Sequence, residues 1–165
     1  MAGGSGSIGL GGPGLPAMDL VIRAARPADR AIAHRLLTAQ LIEHRLPADP
    51  DGIARGIDCA LAPHSPSWLW LAERDTTPVA ILLANEIASV ERGGLVLWVE
   101  ELYVIPPARR TGVARALLAR VCEQARERGV RAIELEVVPT QAAAFALYRA
   151  LGFDEVHRNR MSLAL

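Results

Sequence analysis

The stretch VEELYVIPPARRTGVARALLARV, Val99 to Val121, decides the fold. It begins as a strand, yet carries two adjacent glutamates, Glu100 and Glu101. Pro106 and Pro107 end that strand, because neither can donate a ladder hydrogen bond. Beyond them the apolar residues change period: Val113, Leu117, Leu118, Val121 and Cys122 form a helical stripe. A helix opening near Gly112 exposes unpaired N–H groups and the positive end of its dipole, which suits an anion. Gly112 lets the backbone approach a ligand closely, and Ala114 is small enough to leave that ligand room. Arg109 and Arg110 add charge-assisted donors, each worth about 1.5–3 kcal/mol. The hexapeptide RRTGVA fits a pyrophosphate cradle, and it equally fits a solvated turn with a tight corner.

Before this segment, SWLWLAER (67–74), PVAILLANEIASV (78–90) and LVLWVEELYV (95–104) read as three strands, separated by the turn residues of DTTP and ERGG. DLVIRAA (19–25) reads as a first strand. In RPADRAIAHRLLTAQLIEHRL, Pro27 lies near a helix start and Ile32, Leu36, Leu37 and Leu41 recur at helical spacing. Pro47 and Pro50 interrupt it, and a shorter helix follows with Ile53, Ile57 and Leu61 on one face. After the central helix, Gly129 suits a helix terminus, and VRAIELEVV (130–138) alternates as a half-exposed strand does. TQAAAFALYRALG forms a helix closed by Gly152, and FDEVHRNRMSLAL supplies one or two terminal strands. The order β-α-α-β-β-β-α-β-α-β(-β) describes an α/β protein: a mixed, mostly antiparallel sheet with helices on both faces. Residues 1–17, rich in glycine and free of charge, are expected to form a disordered leader ahead of one domain over 18–165.

With 165 residues, 51% of them hydrophobic, the chain can build one sizeable core. Its 18 basic residues, all arginine, balance 18 acidic ones, which argues against a general nucleic-acid binder. His34, His44, His64 and His157 are scattered and no Cys/His group has zinc-ligand spacing, so no metal is expected. Cys59 and Cys122 are expected as reduced core or semi-core residues. No apolar run approaches the roughly 20 residues that span a bilayer, and the start lacks the pattern of a signal peptide. A cytoplasmic protein without membrane association is the expectation.

Two motifs at the right separation give the chain a family resemblance. Arg109-x-x-Gly112-x-Ala114 and the closing LEVVPTQAAAFALYRALGF are similar to the hallmarks of the GCN5-related N-acetyltransferases (GNAT), which use acetyl-CoA. The resemblance implies the acyl-CoA N-acyltransferase fold. It also implies cofactor contacts from Leu102, Tyr103 and Val104 on the strand, from Arg109, Arg110, Thr111, Gly112, Val113 and Ala114 in the turn, and from Gln141 and Tyr148. Gln141 departs from the asparagine of many members. The strand before the turn is expected to splay from its neighbour, exposing the Leu102–Ile105 backbone, with the Val104 N–H at the thioester oxygen. Tyr148 would be the general acid for the leaving thiolate.

Acyl transfer to an amine needs the amine neutral; for a lysine-like pKa near 10.4, that costs about 4–5 kcal/mol at pH 7. Glu100 and Glu101 are the candidate bases. Strand alternation predicts that they point to opposite faces, so that only one faces the reaction, and the resemblance favours Glu100. The bland alternative is that both merely attract a cationic amine. Trp68, Trp70 and Trp98 are expected in the core or cleft wall. The acceptor implied is a small cationic or peptide-borne amine, and a homodimer is compatible with the family. A catalytically silent acyl-CoA-binding domain is the competing function; it needs the cradle without Tyr148 and the glutamates.

Overall fold

Apolar alternation along consecutive segments builds the sheet, and what covers each face follows from which residues alternate. The computed structural model describes residues 19–138, 140–158 and 160–163; the expected glycine-rich leader lies outside the described residues. Five strands, β1 (Leu20–Ala24), β2 (Ser67–Arg74), β3 (Thr77–Ser89), β4 (Gly94–Val104) and β5 (Ala132–Leu135), lie in sequence order across one sheet. The first four pair antiparallel, and β5 joins β4 in parallel. Four α-helices accompany them: α1 (Arg30–Glu43), α2 (Pro50–Leu61), α3 (Val113–Glu127) and α4 (Ala142–Ala150).

Both faces of the sheet are buried. Trp68, Trp70, Leu82, Ala84, Leu97 and Val99 pack against Val113, Leu117, Leu118 and Val121 of α3. Leu69, Leu71, Ile81 and Tyr103, on the opposite face, meet Ala33, Leu36 and Leu37 of α1 and Ile57 of α2. Central strands buried on both sides read as near-continuous apolar runs, as β2 and β3 do. The expected α/β architecture, with a mixed sheet and helices on both faces, is thus the observed one.

Four details differ from expectation. The buried stripe of α1 keeps the expected Leu36 and Leu37, but Ala33 and Gln40 are buried in place of Ile32 and Leu41, which are half-buried, so a glutamine occupies a core position. Cys59 is exposed, because Ile57 and Ala60 turn α2 toward the sheet and Cys59 lies two residues, about 200°, round from Ile57; Cys122 is half-buried as expected. The strand expected over 130–138 is only four residues long. No terminal strand forms over the described part of 153–163: this segment has no apolar face to bury, and Val156, Met161 and Leu163 are exposed. Its arginines pair instead, Arg158 with Glu91 and Arg160 with Glu136.

One polar network fixes the approach of α1 to the sheet. Arg23 on β1 donates to both oxygens of Asp29, at 2.7 and 2.9 Å, and to Glu73 on β2. Asp29 also accepts the Arg26 backbone N–H at 2.7 Å and is buried at the start of α1. The Arg23 hydrogen bonds hold its carboxyl down to about 2, from an ordinary 3.8. A depressed carboxyl contributes its full stability above the ordinary value and loses it as pH falls toward 2. Asp29→Asn should therefore lower the unfolding free energy by about 2 kcal/mol at pH 7. It should also flatten the loss of stability between pH 4 and 2. Urea unfolding at both pH values checks this, and an unchanged pH dependence would remove Asp29 from the account.

Candidate active site

The two glutamates lie on one face, not on opposite faces, because β4 carries an extra residue. Leu83 opposes Glu101 and the next pair is Ala84 with Val99, leaving Glu100 without a partner. Val99 and Leu102 both pack on the α3 side, with two residues between them where a regular strand has one. Glu100 and Glu101 therefore both turn toward the α1 side. A bulge of this kind re-aims side chains and is common beside active sites. Asn85, whose neighbours across the sheet are Ser67 and Trp98, donates to Glu100 at 2.6 Å and accepts from Ser67 Oγ at 2.6 Å. Gln40 of α1 donates its Nε2 to Glu101. Burial, followed by the neighbouring Glu100 charge, pushes the Glu101 carboxyl above its usual range.

Just beyond the bulge the sheet opens. The β4–β5 pairing ends at Val99 and Leu135, whereas β4 continues along β3 to Val104. Ile105 donates to Val79 on the β3 side at 2.9 Å, and strand alternation then turns the N–H groups of Leu102 and Val104 to the open edge. The β4–β5 ladder therefore stops at the level where the splay is expected.

The turn that follows has the geometry of an anion cradle. Arg110 and Gly112 both adopt positive φ, at 61° and 86°, and Gly112 caps α3. The first intrahelical bond runs from Ala116 to the Gly112 carbonyl, so the N–H groups of Val113, Ala114 and Arg115 have no helical acceptor. A Cβ on Gly112 would meet nothing within 4 Å: glycine is required here by φ, and the space above it is open. Thr111 locks the turn by donating to Ala108 O at 2.8 Å while accepting from Arg74 at 3.2 Å. Arg109 is placed differently from expectation. Its guanidinium donates to Glu43 at 2.7 Å and to Val104 O at 2.8 Å, and lies 5.5 Å from the Tyr103 ring centroid. It ties the start of the turn to α1 and β4, while Arg110 is exposed.

Tyr148 on α4 packs with the apolar cluster of the α3 side, its ring 5.7 Å from Phe153. Burial raises its phenol above the ordinary value, so it holds its proton at neutral pH. Gln141 stands at the α4 N-cap position, and its Nε2 lies 3.2 Å from His44 Nε2 at the end of α1. Trp68 and Trp70 are core residues; Trp98 is half-buried, with the Arg160 guanidinium 5.8 Å from its ring. Among the described residues no group of three or more His, Cys, Asp or Glu could hold a metal ion. None of their helices is long and apolar enough to cross a membrane.

The β4–β5 ladder stops at Val99, and β4 runs on to the turn that opens α3. The acetyltransferase (GNAT) family model matches residues 32–153, and the chain belongs to that family. It is 45% identical over 58 residues to the [ribosomal protein bS18]-alanine N-acetyltransferase of Escherichia coli (strain K12). That match covers 34% of this chain and 39% of the relative, so the chain spans well under half of the enzyme's length. An integron cassette protein from the mobile metagenome of Cole Harbour salt marsh superposes with a TM-score of 0.77 at 27% identity, covering 87% of this chain and 90% of that one. The aminoglycoside N-acetyltransferase AAC(6')-Iy, in complex with CoA, gives 0.77 at 20% identity, over 91% and 98% of the two chains.

Gln40, Glu43, His44 and Asn85 join the site without having been marked by motif. Gln40 did leave a signal, a polar residue at the fourth position of an otherwise apolar helical stripe. Gly112→Glu should abolish acetyl-CoA binding by filling the cradle and repelling phosphate while the protein stays folded. Calorimetric titration checks this; normal affinity would place the cradle elsewhere.

Proposed function

We propose that this protein transfers the acetyl group of acetyl-CoA to a primary amine by direct attack. The observation that carries the proposal is the bulge in β4, which sets two carboxylates beside the parting of β4 and β5. The supporting geometry comes from both faces of the sheet. The turn from Arg110 to Ala114 would hold the pyrophosphate, and the open edge of β4 would pair with the pantetheine arm.

In this reading a glutamate receives the proton that the ammonium must lose. The amine nitrogen attacks the thioester carbonyl and forms the C–N bond. The Val104 N–H donates to the developing oxyanion, a contact that strengthens as charge accumulates. The C–S bond breaks, Tyr148 gives its proton to the departing thiolate, and the second proton of the attacking nitrogen passes to the Tyr148 phenolate, leaving a neutral amide, the CoA thiol and a neutral phenol. Glu100 and Glu101 also favour a cationic acceptor electrostatically, as acidic clefts do. The acceptor class is a cationic or peptide-borne primary amine; the bS18-alanine acetyltransferase likeness supports the peptide-borne form.

The test is CoA release over a panel of amines, including peptides with a free N-terminal alanine, polyamines and aminoglycosides. The chain contains no lysine, which removes side-chain self-acetylation as a background. Acetyl-CoA binding without amine-dependent release would favour a silent binding domain. Tyr148→Phe should lower kcat by about 100-fold with acetyl-CoA affinity unchanged. Steady-state kinetics with calorimetry checks this, and unaltered turnover would remove Tyr148 from the mechanism.

A further inference from the structure

We propose that Gln40 is a positioning residue that holds Glu101, in preference to Glu100, as the base for the acceptor amine. The inference rests on the acetyltransferase reading and assigns the work within it.

The observations concern hydrogen-bond accounting. Gln40 is 3% exposed, within the contact between α1 and the sheet, and its Nε2 donates to Glu101. Its Oε1 is buried without a partner among the described residues. A buried acceptor left unpaired is unfavourable. Methionine, of similar length, would fill this slot without one. The glutamine is thus a poor choice for packing alone, and its one polar contact is the carboxylate of Glu101.

What that contact does follows from the surroundings. Charge near Glu101 comes from Glu100 on its own strand and from Arg160 in the C-terminal segment, itself paired with Glu136. The α1 helix contributes the neutral Gln40, with Glu43 one turn on already paired to Arg109, and β3 contributes apolar Leu83. Burial and Glu100 favour the protonated acid; the Gln40 N–H favours the carboxylate, which alone can accept a proton. Glu100, by contrast, is exposed and tied to Asn85. A half-buried carboxylate, raised by its surroundings and fixed by one donor, is better matched to receiving an amine proton near neutrality than an exposed one.

The experiment is the pH profile of kcat/KM for wild type, Gln40→Met, Gln40→Asn, Glu100→Gln and Glu101→Gln, with an amine found active in the panel. Gln40→Met should move the acidic limb up by about one pH unit, lowering the rate about tenfold below it, with recovery above it and an unchanged KM for acetyl-CoA. Gln40→Asn, which withdraws the amide by one methylene, should move the limb the same way and guards against a folding effect of methionine. Glu101→Gln should remove the limb and Glu100→Gln should retain it. A uniform loss at every pH for both Gln40 variants, or loss of the limb in Glu100→Gln alone, overturns the inference and leaves the acetyltransferase reading standing. A wild type that releases CoA with no amine overturns that reading and the inference with it.

Discussion

The site depends on one extra residue in a strand. Between Val99 and Leu102 the chain inserts two residues where the pleat has room for one, and the partner strand absorbs the difference between Leu83 and Ala84. In an unbroken strand alternating back from Leu102, Glu101 would keep the α1 side but Glu100 would fall on the α3 side, against the leucines of that helix. A charge there would be desolvated among apolar side chains with nothing to neutralise it. With it, both carboxylates emerge where α1 supplies Gln40 and β3 supplies Asn85. The bulge also coincides with the last paired residue of β4 and β5, so the re-aimed side chains and the opening of the sheet occur at one level.

In the proposed mechanism this arrangement puts the acid and the base on opposite faces of the sheet. Tyr148 belongs to the layer formed by α3 and α4, and the glutamates belong to the α1 layer. The sheet lies between them, and the parting of β4 from β5 provides a route from one layer to the other. Tyr148, on its side, is held protonated by burial, while the acidic pair on the other side is tempered by Arg160. Two titratable groups whose environments differ in this way can remain in complementary protonation states at one pH.

The sequence was legible where patterns have a single physical cause. Residues 67–74 emerged with their expected bounds because turn residues flank a run buried on both faces. The turn into α3 was legible because Gly112 and the prolines constrain backbone directly. Alternation failed at Glu100 because a bulge is a relation between two strands, and the residue count of one strand does not show it. Arg109 was misread for a similar reason: its partner Glu43 lies 66 residues away, on α1. The closing segment resembled strand in composition, yet its described part joins no edge of the sheet, and Arg158 and Arg160 pair with acidic residues there.

The open edge of β4 has an evolutionary consequence. In the proposed reading its recognition groups are the main-chain N–H of Leu102 and Val104, which every amino acid except proline provides. Drift in side chains along this edge leaves the donors intact, whereas recognition by the glutamates or by Gln40 is lost with a single substitution. The two halves of the cleft therefore differ in mutational robustness. The half that would face the common donor tolerates variation by construction, and the half that would face the acceptor is free to diverge.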